Sequence, residues 1–326
     1  MHIILNSYGT SLQREGDRFV IYTQEGKDHI APSQVRSISV SKGAKVSSDA
    51  VLLAIEHEID LLFIDGMGMP QGRVWSIKYG SISTIRKNQV EFIFSSKAVD
   101  WAKELLQYKM DTQIAHLLAL ETEDDKAQRI IQRAINALED HKNKLGQAEG
   151  EVISDVAPSM RGWEGAASRR YFQALNEVLP PAYRFESRSK HPATDRFNAL
   201  LNYGYGMLYG KVEGALIKAG IDPYIGVFHR DDYNRPVLVY DVIERYRVWI
   251  DYVAIQLCRQ DAFPEECFVE RNGGVWLEGL GKRILIQSVN DYLAEVVQQQ
   301  GVERSRAFHI QRYAHQLAKF FQQSVG

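Results

Sequence analysis

Arg161-Gly-Trp-Glu-Gly-Ala-Ala-Ser-Arg-Arg-Tyr171 sets one acidic residue, Glu164, between two glycines and ahead of an apolar and basic run. Glu164, Tyr171 and Leu175 recur at helical spacing, so one face of an α-helix carries the acid and then two packing residues. The spacing predicts a helix from Gly165 to Val178 with Glu164 at its first turn. Taken alone, such a position reads as a surface glutamate favoured by the helix dipole. The rest of the chain reverses that weighting.

Helical periodicity extends in both directions from this stretch. Upstream, Ala102, Leu105, Leu106, Ile114, Leu117 and Leu118 mark a helix between Ala98 and Leu120, and Ile130, Ile131, Ala134 and Ile135 mark another between Ala127 and Leu138. A polar interruption from Gly146 to Pro158 separates them from Glu164. Downstream, helical patterns cover Arg196 to Ala219, Asp241 to Leu257, Arg283 to Gln298 and Arg304 to Phe321. The N-terminal part differs. Arg18 to Tyr22, Val35 to Val40 and Asp60 to Ile64 are β-branched or aromatic runs separated by Gly16, Gly26, Pro32 and Gly43. Ser47 or Ser48 caps one helix through His57, and Gly66 to Gly72 reads as a turn leading into a strand from Arg73 to Ile77. The segment from Ile77 to Phe94 has no clear period and reads as a connector with a last strand. The expectation is an α+β fold: a β-rich domain over residues 1–80, a connector over 81–95, and a mostly α-helical catalytic domain over 96–326.

Composition narrows the function. No run of roughly 18 apolar residues exists, so no membrane span is expected. Cys258 and Cys267 have neither metal-ligand spacing nor the density of a disulfide framework, which points to a reducing, cytoplasmic setting. A net charge of −2 excludes a globally basic nucleic-acid binder, so any DNA surface must be local. Between residues 161 and 190 the bases Arg161, Arg169, Arg170, Arg184, Arg188 and Lys190 face only Glu164, Glu177 and Glu186. Aromatic and basic residues interleave from Pro180 to Pro192, a pattern suited to stacking on unpaired bases and holding phosphates, or to a solvated loop. Asn198 and Asn202 read as satisfied helix-helix contacts or as groups reaching the site.

Three further residues complete a chemical set. An apolar run, Pro223 to Phe228, ends in His229, and a polar turn leads on to Asp241 and Glu244, which lie three residues apart on a helix with Arg247 beside them. Singly, His229 reads as a packed imidazole, Asp241 as a helix N-terminal acid and Glu244 as its capping partner. Together, one imidazole and two or three carboxylates on separate elements suit an octahedral ion, Mg²⁺ or Mn²⁺, with positions left for water and substrate. Such an ion activates a hydroxyl for attack on a phosphodiester.

Four motifs carry a family resemblance: Glu164-Gly with Tyr171-Phe, Asp195 to Tyr205, Gly220 to His229, and Leu238 to Arg247. In order and spacing they resemble the CRISPR-associated endonuclease and integrase of spacer acquisition, over the whole chain. The resemblance implies Glu164, His229 and Glu244 as metal ligands, with Asp241 supporting the site or a second ion. It further implies a β-rich homodimerisation domain, a small ferredoxin-like CRISPR adaptation subunit as partner, and insertion of short DNA fragments into a CRISPR repeat by 3′-hydroxyl attack. Arg169, Arg170, Arg184, Arg188, Lys190 and Arg247 are the expected DNA contacts. A hydrolytic nuclease or mobile-element integrase of the same fold, and a non-catalytic DNA-binding scaffold, are the alternatives.

Overall fold

In β1 (His2–Leu5) alternate side chains, Ile3 and Leu5, are buried, as a strand with one covered face requires. The computed structural model describes residues 1–66, 68–74, 83–190, 192–229 and 235–323, and the chain divides into two units, Met1–Gly80 and Ser81–Gly326. In the first, β1 is followed by β2 (Ser11–Glu15), β3 (Arg18–Tyr22), β4 (Lys27–Ile30), β5 (Ser37–Ser41), β6 (Lys45–Val46), α1 (Ser48–Glu56), β7 (Asp60–Ile64) and β8 (Pro70–Val74). One sheet has the order β1-β5-β7-β8 and the other β4-β3-β2-β6. Pairing is parallel from β1 to β5 and from β5 to β7, and β8 returns antiparallel to β7. Ile3, Leu5, Leu12, Phe19, Ile38, Leu53 and Leu61 form the core of this unit. Ser47 caps α1, accepting from the Ala50 N–H at 3.2 Å. The turn at Gly66 is shorter than its sequence suggests, because β8 already begins at Pro70. Residues 75–77 of the expected strand lie outside the described residues.

The second unit is mostly helical: α2 (Ser83–Ile93), α3 (Ser96–Leu118), α4 (Asp125–Gly146), α5 (Ile153–Val178), α6 (Arg196–Lys218), α7 (Val237–Ile243), α8 (Arg247–Arg259), the hairpin of β9 (Phe268–Arg271) and β10 (Gly274–Leu277), α9 (Gly279–Ala294), the hairpin of β11 (Val296–Gln299) and β12 (Val302–Ser305), and α10 (Arg306–Gln323). A β-rich unit followed by a mostly helical one is the α+β fold expected from sequence. Most of α6 is buried, including Phe197, Leu200, Leu201, Leu208, Val212 and Leu216, so it forms the core on which the other helices pack.

Four local expectations are corrected. The segment read as a connector with a last strand is helix from Ser83 to Ile93. Its buried face is Ile85, Asn88, Gln89 and Phe92, and the two inward amides hide the apolar period. Asn88 Nδ2 donates to the Phe321 carbonyl at 2.6 Å, and Gln89 Nε2 to that of Asp222 at 2.7 Å. Secondly, the polar interruption before Glu164 ends at Ile153, where α5 starts, so Glu164 sits near the middle of a helix and not at its first turn. Asp155 supplies the start signal, accepting from the Val152 N–H at 3.1 Å. Thirdly, the helix expected from Asp241 to Leu257 is two helices. The N–H groups of Glu244, Arg245 and Tyr246 bond three residues back, which tightens the corner between α7 and α8. Lastly, α9 stops at Ala294, because Gln300 and Gly301 both take positive φ, 51° and 74°, and close the β11–β12 hairpin.

Helix α6 meets α8 at Gly204, where a Cβ would stand 2.5 Å from Ile250 Cγ2. Gly162, on the exposed side of α5, has no such neighbour within 4 Å. Gly204→Ala is therefore expected to destabilise the protein by about 1–3 kcal/mol through overpacking against a stiff β-branched side chain. Gly162→Ala should stabilise it by about 0.5–1 kcal/mol through helix propensity. Urea unfolding of the two variants beside the parent checks both signs.

Candidate active site

Spacing along α5 puts Arg161, Glu164 and Ser168 on one face and beds Ala167, Tyr171 and Leu175 in the core. That face borders a cleft of about 980 Å³. Glu164, His229 and Glu244, from α5, the loop before α7 and the α7–α8 corner, all line it. The side chain between the two glutamates is Lys109 of α3. Its Nζ donates to Glu164 Oε1 and stands 2.6 Å from Glu244 Oε2, and Arg247 Nε lies 2.9 Å from Glu244 Oε1. Neither Glu244 contact is aligned as a hydrogen bond, so Glu244 Oε2 is compensated in charge but keeps its lone pairs unengaged by an aligned donor. Burial acts to raise the Glu244 carboxyl, yet Arg247 and Lys109 bring it down to about 2. Glu164 is also held below the usual range: burial opposes this, and the Lys109 ammonium and the Ser168 hydroxyl, 2.8 Å away, outweigh it.

Asp241 is fully buried and does not line the cleft. Its carboxylate accepts the N–H groups of Val227 at 2.7 Å, Phe228 at 3.1 Å and His229 at 2.9 Å, and lies 2.6 Å from His229 Nδ1. Asp241 and Glu244 thus serve different neighbours, whereas three-residue spacing on one helix predicts a shared face. A carboxylate acceptor puts the imidazole proton on Nδ1 and leaves the Nε2 lone pair available. The same loop is tied to α2 through Gln89, whose Nε2 also donates to the Ile225 carbonyl at 3.1 Å, and to α5 through Arg161 Nη1, 3.0 Å from the Phe228 carbonyl. Gly226 lets the loop also lie against α7, since a Cβ there would meet Val237 Cγ1 at 2.4 Å. The polar turn following His229 lies, over 230–234, outside the described residues.

Of the basic residues singled out from sequence, Arg169, Arg188, Lys190 and Arg247 line the cleft; Arg170 and Arg184 are exposed and do not. Arg170 turns to Gln173 Oε1 at 3.2 Å, and Arg184 lies 3.4 Å from the Leu179 carbonyl. Asn198 and Asn202 are buried and hold the 187–190 segment onto α6.

Sequence reading missed Lys109 and Asp251. Lys109, Gln113 and His116 interrupt the buried stripe of α3 at helical spacing, and Asp251 interrupts that of α8; polar residues on a core-facing stripe were the available signal. Asp251 receives the hydroxyls of Tyr171, at 3.0 Å, and Tyr205. Burial raises its carboxyl to about 6 against the pull of both tyrosines and of Arg188 and Arg247. Because the Tyr171 proton goes to Asp251, the 2.7 Å contact with His116 uses His116 Nδ1 as donor. Burial alone lowers that imidazole to about 4, so it is neutral.

The donor set, two carboxylates and an imidazole nitrogen, fits a hard divalent cation, and the ammonium of Lys109 already stands between the two carboxylates. As arranged among the described residues, His, Cys, Asp and Glu form no closed group of three around one point. A bound ion would therefore have to displace Lys109.

The family described as CRISPR associated protein Cas1 matches residues 3–291. CRISPR-associated endonuclease Cas1 1 of Archaeoglobus fulgidus is 30% identical over 316 residues, 92% of this chain and 90% of that protein. CRISPR-associated endonuclease Cas1 2 of Saccharolobus solfataricus is 28% identical over 261 residues, covering 79% and 75%. A Cas1 protein from Thermotoga maritima superposes with a TM-score of 0.81 at 21% identity, over 99% of this chain and 97% of that one. A casposase bound to integration product gives 0.83 at 19%, over 99% and 91%. The two structures share the fold described above.

Removing the Lys109 charge leaves Glu164 and Glu244 facing each other in a buried site. Lys109→Met is expected to cost about 3–5 kcal/mol at pH 7. One carboxyl of the pair then titrates above its unfolded value, so the deficit is greatest above that raised value and shrinks as pH falls from it toward the unfolded value. Mn²⁺ should recover part of the loss, and thermal unfolding at pH 5 and 7, with and without the ion, reads both effects.

Proposed function

The chain belongs to the CRISPR associated protein Cas1 family, and we propose that it is a metal-dependent DNA endonuclease and integrase that inserts short DNA fragments into a CRISPR array. One observation carries the reading: Glu164, Glu244 and His229, from three separate elements, line one cleft together with the cations Arg188, Lys190 and Arg247. A carboxylate-imidazole set serves phosphodiester chemistry, and the basic wall serves the phosphates.

Glu164, Glu244 and His229 Nε2 would hold Mg²⁺ or Mn²⁺. Bound there, the ion would polarise a phosphoryl oxygen and lower the pKa of the attacking 3′ hydroxyl. Asp241 fixes the His229 tautomer and the loop that presents it. Its place supports a positioning role, since all the N–H donors it accepts belong to residues 227–229. Arg188, Lys190, Arg247 and Arg169 supply cationic contacts to DNA. Joining exchanges one phosphodiester for another and needs no nucleotide cofactor.

The protein acts in the cytoplasm as a homodimer, with a small CRISPR adaptation subunit as partner; a Cas6-RT-Cas1–Cas2 complex contains a chain of this fold. In the first unit Tyr8 and Leu52 are exposed, and the sheet edges β1 and β8 are open among the described residues, which supports a dimer through that unit. The described residues contain no helix long and apolar enough to cross a membrane, and Cys258 and Cys267 are both free thiols.

A two-substrate assay with a blunt duplex and a repeat-containing plasmid tests the reading. Joined product should require Mg²⁺ or Mn²⁺ and disappear with chelator. His229→Ala and Glu244→Ala should abolish joining and leave DNA affinity within about threefold, because phosphate affinity resides in dispersed cations. Plasmid nicking without joined product would favour a hydrolytic nuclease. Parental joining by folded ligand variants would reduce the set to a structural cluster.

A further inference from the structure

The basic wall of the cleft contains a guanidinium whose charge is left for a ligand. Arg188 is tethered by neutral acceptors: Nη1 donates to Asn198 Oδ1 at 2.6 Å and to the Ser189 carbonyl, and Nη2 donates to Asn202 Oδ1 at 2.7 Å. Both asparagines are themselves fixed. Asn198 Nδ2 donates to the Ser187 carbonyl at 2.9 Å and Asp195 Oδ2 at 2.6 Å, and Asn202 Nδ2 to the Lys190 carbonyl at 2.5 Å. Three of the five guanidinium N–H groups are so engaged, and the remaining two, at Nε and Nη2, have no protein acceptor among the described residues.

Carboxylates in place of the two asparagines would orient the group equally well and cancel its charge; amides orient it and leave the charge uncancelled. No carboxylate among the described residues reaches ion-pair distance of Arg188 or Lys190. Arg247, whose partner is Glu244, completes the wall, and the Tyr205 ring links it to Arg188. The Arg188 and Arg247 guanidinium carbons lie 5.4 and 4.9 Å from the Tyr205 ring centre, and the Tyr205 hydroxyl is anchored on buried Asp251. Burial lowers the Arg188 guanidinium from its usual range and Arg247 adds to this, with Tyr205, Asp251 and Asp195 offsetting only part. Lys190, open to water at the mouth but walled by protein, is lowered by desolvation and then by Arg247 and Arg188. Mutually repelling cations on a rigid frame are relieved by an anion.

We propose that Arg188, held by Asn198 and Asn202 and flanked by Lys190, forms a seat for a single backbone phosphate of DNA, separate from the carboxylate-imidazole set and fixing the strand relative to it. The fork of Nε and Nη2 suits two oxygens of one phosphate, a contact a lysine at this position cannot copy. The proposal rests on the reading of the cleft as a DNA site but requires no metal and no bond to be made or broken.

The test is a binding cycle in chelator, read by the fluorescence anisotropy of labelled DNA titrated with the chain of 326 residues. The probes are a blunt duplex and copies in which one linkage at a time, counted from the 3′ end, is a neutral methylphosphonate. For the parent, one linkage near the end should stand out, its neutralisation weakening binding roughly 10- to 100-fold, as loss of a charge-assisted pair does. For Arg188→Gln and Arg188→Lys the parent's standout linkage should become no worse than its neighbours, with Lys retaining overall affinity better than Gln. Each result is a ratio of probes on one protein preparation, so a partly unfolded variant lowers the signal without moving it. A flat linkage profile in the parent, or the same standout linkage in both variants, overturns the proposal. If the profile behaves as expected but the parent joins no DNA with any divalent ion, the integrase reading fails and the phosphate seat stands.

Discussion

Four charges packed together, Lys109, Glu164, Glu244 and Arg247, fix where the helices that carry them meet. Lys109 and Glu244 have side chains only 7% and 6% exposed, and Glu164 and Arg247 are at 24% and 21%. Taking one such ion out of water costs several kcal/mol even after relaxation, so each of the four is stabilised by the opposite charges beside it. They come from α3, α5, the α7–α8 corner and α8, and those elements must therefore meet at one point. Apolar packing could be satisfied by several small shifts of helix against helix; alternating charge at hydrogen-bond distances cannot. The same constraint keeps two carboxylates ionised in the cleft, one of them down at about 2, the charge state that a divalent cation would need.

The second constraint acts on the histidine. Asp241, without exposure, accepts three successive backbone N–H groups and the imidazole proton, so one carboxylate orients both the 227–229 segment and the ring. The tight corner after α7 lets neighbours in sequence look in different directions. Asp241 faces the loop, Glu244 faces Lys109, and Arg245 passes between the rings of Tyr108 and Tyr313, its Cζ 3.9 and 4.3 Å from their centres. Tyr108 belongs to α3, as does Lys109, and Tyr313 to α10, so the corner carrying Glu244 is held from two further helices.

The strands β3, β5 and β7 could be read because β-branched or aromatic runs stand there between turn residues, and the N-cap of α1 because a serine pair stands before an apolar helical repeat. Helix α2 could not, because Asn88 and Gln89 occupy half of its inner face and bond to carbonyls there. The two hairpins were legible in retrospect: Asn272-Gly273 and Gln300-Gly301 have the paired positive φ of a primed turn, and Asn-Gly is the strongest short hairpin signal. In the site, motif order and spacing pointed to Glu164, His229 and Glu244, which do line one cleft. Counting bases did not give direction. Arg169 and Arg170 are successive on a helix, roughly 100° apart around its axis, so only one of them can face the cleft. Lys109 was passed over because a lysine within a helical repeat reads as solvent-facing, and only the side chains around it show that it points inward.

The central claim is that Glu164, Glu244 and His229 form a cation site which Lys109 holds in readiness. Crystals grown with Mn²⁺ and measured for anomalous scattering at the manganese edge test it directly. The account predicts one strong peak within bonding distance of a Glu164 oxygen, a Glu244 oxygen and His229 Nε2, with the Lys109 ammonium moved off the line between the two carboxylates. A peak elsewhere, or Lys109 unmoved between two glutamates with no peak beside them at saturating Mn²⁺, would contradict it.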